Sequence, residues 1–600
     1  MTLAKPSLCA ACSLFTRGQG YSNGTGTGSN GTLLLGEALG AREAFMGIPF
    51  VGDAGAQLTR TLQRVQCGRE AFRINNVVKC RPPNNWLEGA PWEDDAINNC
   101  TVYFHEELDK HPPLAIVPMG NVPTNFLLGK KEHKGGIEHR RGYVYKSIIN
   151  TPNRQHDIWV VPTYHPSFIM RGKQNLTDVQ AIDIKRALKV SRSGYTEPPY
   201  HYIEHPTASD LGAYYEECRT AAANGKWLIA DIETPTSGGA TEDEYGSIID
   251  ADIIRISFSI APHHAITIPF TSYTFDWICA VLSLPWSYTV FWNQEFDVPR
   301  LQSKGCTVGK VLDAMYLFHW LQSDLPKGLG YVSTFFTELS EWKSLSDELP
   351  EYYSCKDSDA TIQCADAIRA LLITQGRFDS FIRHYVDLQP FVQSMAQTGV
   401  LIDPVQQEKF RGEVQKELDR LDEEVQKAVP IEVKKVKYRK SYPKEFELGA
   451  WVRQSDDKWY WDFDPTTGEV LERQRFLCTS SDQVLRYIKY RGHPVETNYK
   501  TGKETTAADV IDNLANKFPD DPLYPRILEV REFRKIMGQY INGYMPGPDG
   551  RVRTHFNRKP STFRYNSESP NVQNVVKRSE LAGEYRKQFV AGSIEEVVNG

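Results

Sequence analysis

The sequence predicts a multidomain α/β protein, and length, strand rhythm and a late change of pattern are what predict it. Six hundred residues at 40% hydrophobic content exceed what one core can organise, so about three or four domains are expected. From Met1 to about Tyr195, apolar runs such as GTLLLGEA, LAIVPMG and IWVVPTYHP end in Gly, Pro or polar turns. Helical candidates lie between them, the alternation of a layered α/β domain. Residues 226–375 repeat the mixture with WLIADIE, DIIRISFSI and YTVFWN as strands, and beyond Arg377 the chain turns helix-rich.

Boundaries follow from composition. SRSGYTEPPYHYIEHP has no periodicity and reads as a linker, assigned to residues 196–225, so the domains are 1–195, 226–375 and 376–600. The stretch QKELDRLDEEVQKA carries i,i+4 charge partners and reads as a solvated helix face. VKKVKYRKSYPK is basic and aromatic, suited either to a phosphate backbone or to an exposed loop. GQGYSNGTGTGSNG reads as a flexible loop, since no GKS or GKT follows it. A net charge of −6 argues against coating nucleic acid by overall charge and leaves room for local basic grooves beside acidic metal sites. With no basic leader and no bilayer-length apolar run, a cytoplasmic protein without membrane contact is expected.

WLIADIETP brings two acids to the end of an apolar strand. Side chains at i and i+2 share a face, so Asp231 and Glu233 stand side by side, which suits a shared cation, a protonated acid or a solvated strand end. Two later segments add to them. FWNQEFDVPRL carries Asn293 and Asp297, and in YYSCKDSDAT Tyr353 precedes Asp357 by four, one face of a helix. Asp359 is spaced wrongly from Tyr353 and is expected to be a solvated helix acid.

The order and spacing of these residues resemble the three motifs of proofreading 3′–5′ exonucleases of the RNase H-like superfamily, in the variant with tyrosine in the third motif. VLDAMYLFHWLQSDLPKGLGYVSTFF is similar to the segment after the second motif in the exonuclease domain of DNA polymerase I. The resemblance implies phosphodiester hydrolysis at a single-stranded DNA 3′ end, with Asp231, Glu233, Asp297 and Asp357 holding two divalent cations, Mg or Mn, and Tyr353 orienting the attacking water.

Of eleven cysteines, Cys9 and Cys12 in CAAC, Cys80 in NNVVKCRPP and Cys100 in AINNC suit a four-thiolate site, a zinc ion or plain buried thiols. Around them LLLGEALGAREAFMGIPFVGDAGAQL, INNVVKCRPPNN, IVPMGN and PTYHPSFIMR resemble, in order, the motifs of family 4 uracil-DNA glycosylases. The resemblance implies a glycosylase-like α/β/α sandwich with a [4Fe–4S] cluster on these cysteines, acting on uracil-containing DNA. It further implies that Phe50 stacks on a flipped uracil, Asn76 reads its polar edge and His165 donates to a uracil oxygen. Glu37 is the candidate for placing water or countering the sugar cation, and Glu43 for screening the ring's 5-position. Cys67 has no counterpart and reads as a small core residue. The chain departs from the family at Leu39, where proline is usual, at Ala44, where an acid is, and at Trp86, where arginine is. A module that senses uracil without excising it is the alternative reading.

From LQPFVQSMAQTGVLIDP onward the chain resembles family A DNA polymerases: a helix-rich thumb, then the first part of a palm. The resemblance implies contact with primer-template DNA or incoming nucleotide by Arg564, Asn571, Gln573 and Asn574, with Phe563 in place of the family's glycine. The family's aspartate strand and fingers helix would come after Gly600, so a truncated reading of a longer polymerase is expected.

Overall fold

The computed structural model describes residues 4–130, 136–235, 240–242, 248–434, 438–439, 451–453, 459–461, 474–497, 503–558, 560–573 and 581–592. Most of the basic stretch from Val433 to Lys444 falls outside them, as does Asn574. The chain forms two compact units, Met1–Gln389 with Arg558–Arg564, and Pro390–Asn557 with Tyr565–Gly600.

In the first unit, strands β1 (Thr32–Gly36), β2 (Arg73–Asn76), β3 (Ala115–Pro118), β4 (Tyr145–Asn150) and β5 (Gln155–Val160) form a sheet in the order β2-β1-β3-β5-β4. All pairs are parallel except the edge pair β4–β5. Both faces are apolar because helices cover both. Leu34 and Val117 pack with Leu58 and Leu62 of the helix Asp53–Val65 and with Ile184 of the helix Leu176–Ser193. Leu33, Leu35 and Ile116 pack on Phe104 and Leu108 of the helix Glu93–Lys110. The result is an α/β/α sandwich.

The glycine-rich segment before β1 is not the free loop its composition suggests. Thr25 pairs with Ile74 and Gln19 with Arg81, so the segment runs along β2. A Cβ on Gly26 (φ +86°) would meet the Phe72 carbonyl oxygen at 1.9 Å, and one on Gly20 (φ +66°) the Ala44 carbonyl oxygen at 2.4 Å. These glycines serve close backbone approach.

A second sheet has the order β13-β12-β7-β10-β11-β6, from β6 (His201–Ile203), β7 (Trp227–Glu233), β10 (Arg255–Ala261), β11 (His264–Pro269), β12 (Tyr288–Phe291) and β13 (Val311–Asp313). A ribbon of β8 (Ala240–Glu242) and β9 (Ile248–Ala251) lies apart from it. Period-2 alternation splits β7 between two cores. Leu228, Ala230 and Ile232 pack with the helices Ala208–Ala223 and Phe275–Leu282, through Tyr214, Cys218, Ile278 and Val281. Trp227 and Ile229 face the long helix Pro350–Thr374 through Ala360, Cys364 and Ile368. Asp231 and Glu233 continue that second row, so they meet the helix that carries Tyr353 and Asp357.

Two boundaries differ from the sequence reading. Residues 196–225 are not a linker: β6 is an edge strand of the second sheet, and the helix Ala208–Ala223 begins in a capping box between Thr207 and Asp210. Glu197 accepts from Lys356 Nζ at 2.6 Å and Ser340 Oγ at 2.7 Å. Three-residue β6 and its Pro- and Tyr-rich flanks have no local period, so tertiary pairing alone orders them. Likewise residues 376–389 belong to the first unit, where Phe381 and Tyr385 are buried in its core. Asp359, expected in solvent, is buried, accepting from Tyr202 Oη at 2.6 Å and from the His263 N–H at 2.7 Å. The sandwich and the second sheet are joined by a buried contact: Arg141 pairs with Asp183 and donates to Thr334 Oγ1 at 2.8 Å.

In the second unit the helix Pro404–Ala428 is the spine. Phe410, Val414 and Leu418 enter one core with Ile536 and Tyr540, and Leu421 and Val425 enter another with Tyr487 and Ile527. Its outer face carries Arg420 between Glu417 and Glu424. Short strands Val400–Ile402, Arg551–Val552 and Phe589–Val590 make a three-stranded sheet.

Candidate functional site

Parallel strands deliver their carboxyl ends to one edge of a sheet, and loops leaving that edge build a crevice. In the first sheet, Glu37 follows β1, Asn76 ends β2, Gly120 follows β3 and His165 follows β5. Glu37, Glu43, Phe50, Asn76 and His165 all line one cavity of about 640 Å³. Its floor is tightly made. A Cβ on Gly36 would meet Asn76 Oδ1 at 2.2 Å and Phe50 Cζ at 2.5 Å, so only glycine lets those two side chains converge. Phe50 is held at φ +54° with its ring 5.8 Å from that of His165.

The electrostatics are those of neutral recognition. Asn76 Oδ1 is buried with no partner, an acceptor awaiting a donor. His165 Nδ1 accepts from the Ser167 N–H at 3.1 Å, which leaves the proton on Nε2. Burial, with Arg171 nearby, lowers His165 to about 4, so the ring is neutral at pH 7. Burial, reinforced by Glu88 and Glu93, raises Glu37 to about 7, with Arg171 opposing. Glu43 lines the cavity, but its Oε1 accepts the Gly52 N–H at 2.9 Å, so it also braces the loop before the helix Asp53–Val65. Leu39 is buried. Trp86 stays half exposed at the cavity, edge-to-face on Trp92 at 5.5 Å. Arg171 and Met170 also line it; both lie at the end of the PTYHPSFIMR motif but carry no role in the sequence reading.

The four cysteines come from three places: the first turns of the chain, the segment after β2, and the helix Glu93–Lys110. They feel one another electrostatically: Cys9, Cys12 and Cys100 all act on Cys80. Yet among the described residues no three of their sulfurs lie within 4.8 Å of one another. Burial pushes Cys80 up to about 12 and Cys100 up to about 11. Lys79, fully buried with no hydrogen-bond partner and pushed down to about 8 by burial, stands close enough to act on Cys100.

On the second sheet, Asp231, Glu233 and Asp357 each place a carboxylate oxygen within 4.8 Å of the others. Burial, then Glu233, Asp357 and Asp297, raises Asp231 well above the usual carboxylate range. Glu233 rises to about 7 through burial and Asp357, against Lys343 and Arg255, and its Oε1 is buried without a partner. Crowded acids and an orphaned oxygen fit a hard divalent cation. Asp297 is not one of this close trio, though it acts electrostatically on Asp231. Its Oδ1 is taken by the Ile232 N–H at 3.1 Å, because the helix Gln294–Ser303 starts close against β7. Asp313 sets that start: it accepts the Asn293 and Gln294 N–H groups at 3.1 and 2.9 Å and caps the next helix through Met315 at 2.8 Å.

Tyr353 lies one turn before Asp357, its phenol raised by burial and by Asp357. Lys343 Nζ donates to Asp357 Oδ1 and Oδ2 at 2.5 and 2.7 Å and to Tyr353 Oη at 3.1 Å. Trp342 Nε1 donates to Asp357 Oδ1 at 2.7 Å. Burial pulls the Lys343 ammonium down, and Asp357 more than offsets it, so its pKa is raised. Neither residue stands out in sequence, since the segment holding them has no period and no motif spacing to the acids.

Of the polar residues near the end of the chain, Arg564 falls in the first unit and Asn571 and Gln573 in the second. The Gln573 N–H donates to Asn571 Oδ1 at 3.0 Å. Phe563 adopts φ +59°, the region glycine favours, and its ring lies 4.6 Å from that of Trp320; that packing holds a strained backbone in place.

The model for the uracil DNA glycosylase superfamily matches residues 25–189 and that for DNA polymerase family A matches residues 465–598. The type-4 uracil-DNA glycosylase of Sulfurisphaera tokodaii is 34% identical over 194 residues, covering 31% of this chain and 83% of that protein. That of Thermotoga maritima is 33% identical over 180 residues, covering 30% and 87%. The thermostable DNA polymerase I of Thermus aquaticus is 36% identical over 125 residues, 19% of this chain and 14% of that protein. A solved structure described as the POL domain of Pol1 from M. smegmatis in complex with DNA primer-template and dNTP covers 65% of this chain and 59% of its own at 16% identity and TM-score 0.43. That likeness is too loose to place any residue.

Proposed function

The chain belongs to the type-4 uracil-DNA glycosylase family through its N-terminal third and carries a DNA polymerase family A region at residues 465–598, and from that premise we propose that it excises uracil from DNA and trims DNA 3′ ends beside a DNA-polymerising module. The observation that carries the excision reading is the partnerless Asn76 Oδ1 at the floor of a cavity shared with Phe50 and His165. A uracil N3–H would donate to that oxygen, Phe50 would stack on the ring, and neutral His165 would donate its Nε2–H to a uracil oxygen as charge gathers on the leaving base. Glu37, when ionised, would orient water or balance the sugar cation. Glu43 would guard the ring's 5-position through the loop it braces.

Cys9, Cys12, Cys80 and Cys100 would hold a [4Fe–4S] cluster, which when bound fastens the first turns of the chain to the segment after β2 and the helix Glu93–Lys110. Asp231, Glu233, Asp297 and Asp357 would hold a pair of Mg or Mn ions; the ions, when bound, supply an activated water and a stabilised leaving oxygen. Tyr353 would orient that water. Arg564, Gln573 and Asn574 would contact primer-template DNA. The match to the Thermus aquaticus polymerase I spans 14% of that protein, so polymerisation is itself part of this proposal.

Metal chelation separates the two chemistries. Full-length protein on a single-stranded, uracil-containing, 3′-labelled oligonucleotide is expected to leave alkali-labile abasic sites with EDTA present and to release 3′ nucleotides only with Mg²⁺ or Mn²⁺. Uracil-selective binding with no abasic product would favour a reader in place of a glycosylase.

A further inference from the structure

Lys343 spends its ammonium on two groups of the proposed nuclease. It spans both carboxylate oxygens of Asp357, at 2.5 and 2.7 Å, and reaches Tyr353 Oη at 3.1 Å. The placement is built. Trp342, fully buried and edge-to-face on Tyr143, donates to the same carboxylate. A Cβ on Gly330 would stand 3.1 Å from Lys343 Cγ, so the lysine stem lies against a residue chosen small.

Two consequences follow from the chemistry of an ammonium, which only donates hydrogen bonds. At the contact with Tyr353 the phenol oxygen must therefore accept, which leaves its own O–H free to donate toward a water or phosphate. At Asp357, Lys343 takes one lone pair on each oxygen and Trp342 a second on Oδ1, so a cation shared with Asp231 and Glu233, whose carboxylates lie within 4.8 Å, must compete for what is left. The positive charge that aligns Tyr353 also competes with and repels a divalent ion.

We propose that Lys343 is a positioning residue with two opposed effects: it holds Asp357 and Tyr353 in their hydrolytic arrangement, and it weakens divalent-cation binding by occupying Asp357. The inference rests on the nuclease reading above.

The test replaces the charge while keeping the stem, as Lys343→Met, with Lys343→Gln as a second uncharged variant and Lys343→Arg to restore charge, all in the full chain. Mn²⁺ binding without DNA is read by the free-ion paramagnetic resonance signal, and 3′ nucleotide release at saturating Mn²⁺ is read separately. Removing a unit charge a few ångströms from a divalent ion is expected to tighten Mn²⁺ binding about tenfold or more, while nucleotide release falls about 10- to 100-fold. Arginine should return Mn²⁺ affinity to the original value. A residue that merely supports the fold would weaken both together. Unchanged or weaker Mn²⁺ binding in both uncharged variants overturns the competition, and an unchanged release rate overturns the positioning. Asp231→Ala keeps this separate from the reading beneath it: if that change removes neither Mn²⁺ binding nor release, the nuclease itself is wrong.

Discussion

The two candidate sites of the first unit lie on neighbouring sheets and are built on opposite electrostatic plans. The cavity on the parallel sheet gathers neutral groups, an orphaned amide oxygen, an uncharged imidazole and a half-ionised carboxyl, around an aromatic floor. The cleft on the mixed sheet gathers carboxylates until their own repulsion and burial hold protons on them. The difference teaches what each ligand must bring. A neutral base needs hydrogen-bond complementarity in a dry pocket, where unmet polar atoms carry the selectivity. On the proposed reading, a phosphodiester would need cations, which the crowded acids would hold.

The sharpest way to break this comparison is to exchange damage between the sites. Asp231→Ala should lower 3′ nucleotide release about 10³-fold or more, while uracil excision stays within about twofold. Next, His165→Ala should cost excision about 10²- to 10³-fold, the range for losing one donor to a developing anion, and leave nucleotide release unchanged. A third effect is pH dependence of excision. With Glu37 raised to about 7 and its ionised form required, the rate should climb about tenfold per unit below pH 7 and level off above it. Glu37→Gln should flatten that limb; His165, at about 4, should add no inflection between pH 6 and 8.

The smallest effect concerns stability. Glu233 titrates near 7 in the folded, metal-free protein, above its ordinary value, and Asp231 lies high as well. Folding therefore favours their protonated forms, and that contribution is lost as pH rises from about 4.5 through 7. Ionised carboxylates are also what a cation binds. Millimolar Mn²⁺ should thus raise the melting temperature by a few degrees at pH 8 and by less at pH 6, measured by thermal scanning calorimetry. An equal rise at both, or none at pH 8, would break the contrast between the sites.

How much of this was legible varied with how local the signal was. Asp231 and Glu233 could be put on one face of a strand because side-chain alternation is a local rule, and the same holds for Tyr353 and Asp357 on a helix. The residues around the cavity were named through the family resemblance, since Glu43 on the helix Ala41–Met46 and Phe50 in the turn after it carry no local period. For Asp297, sequence told neither that it lies on the helix Gln294–Ser303 nor that a β7 backbone N–H would take its oxygen. Lys343 and Trp342 went unseen because they sit in an aperiodic segment and gain meaning only from what the fold lays beside them. The edge strand β6 and its following helix were misread as a linker for the same reason, and the packed glycines near Thr25 were misread because close approach leaves the same composition as freedom.

By itself, then, the amino-acid order determined the layered α/β class and the strand and helix faces that bear Asp231, Glu233, Tyr353 and Asp357, since each depends on spacing within one element. Tertiary structure alone decided which carboxylates come within 4.8 Å of one another, that a lysine lies among them, and that 196–225 completes a sheet. These are contacts between elements distant in the chain, and their distances are set by packing, which no local period encodes.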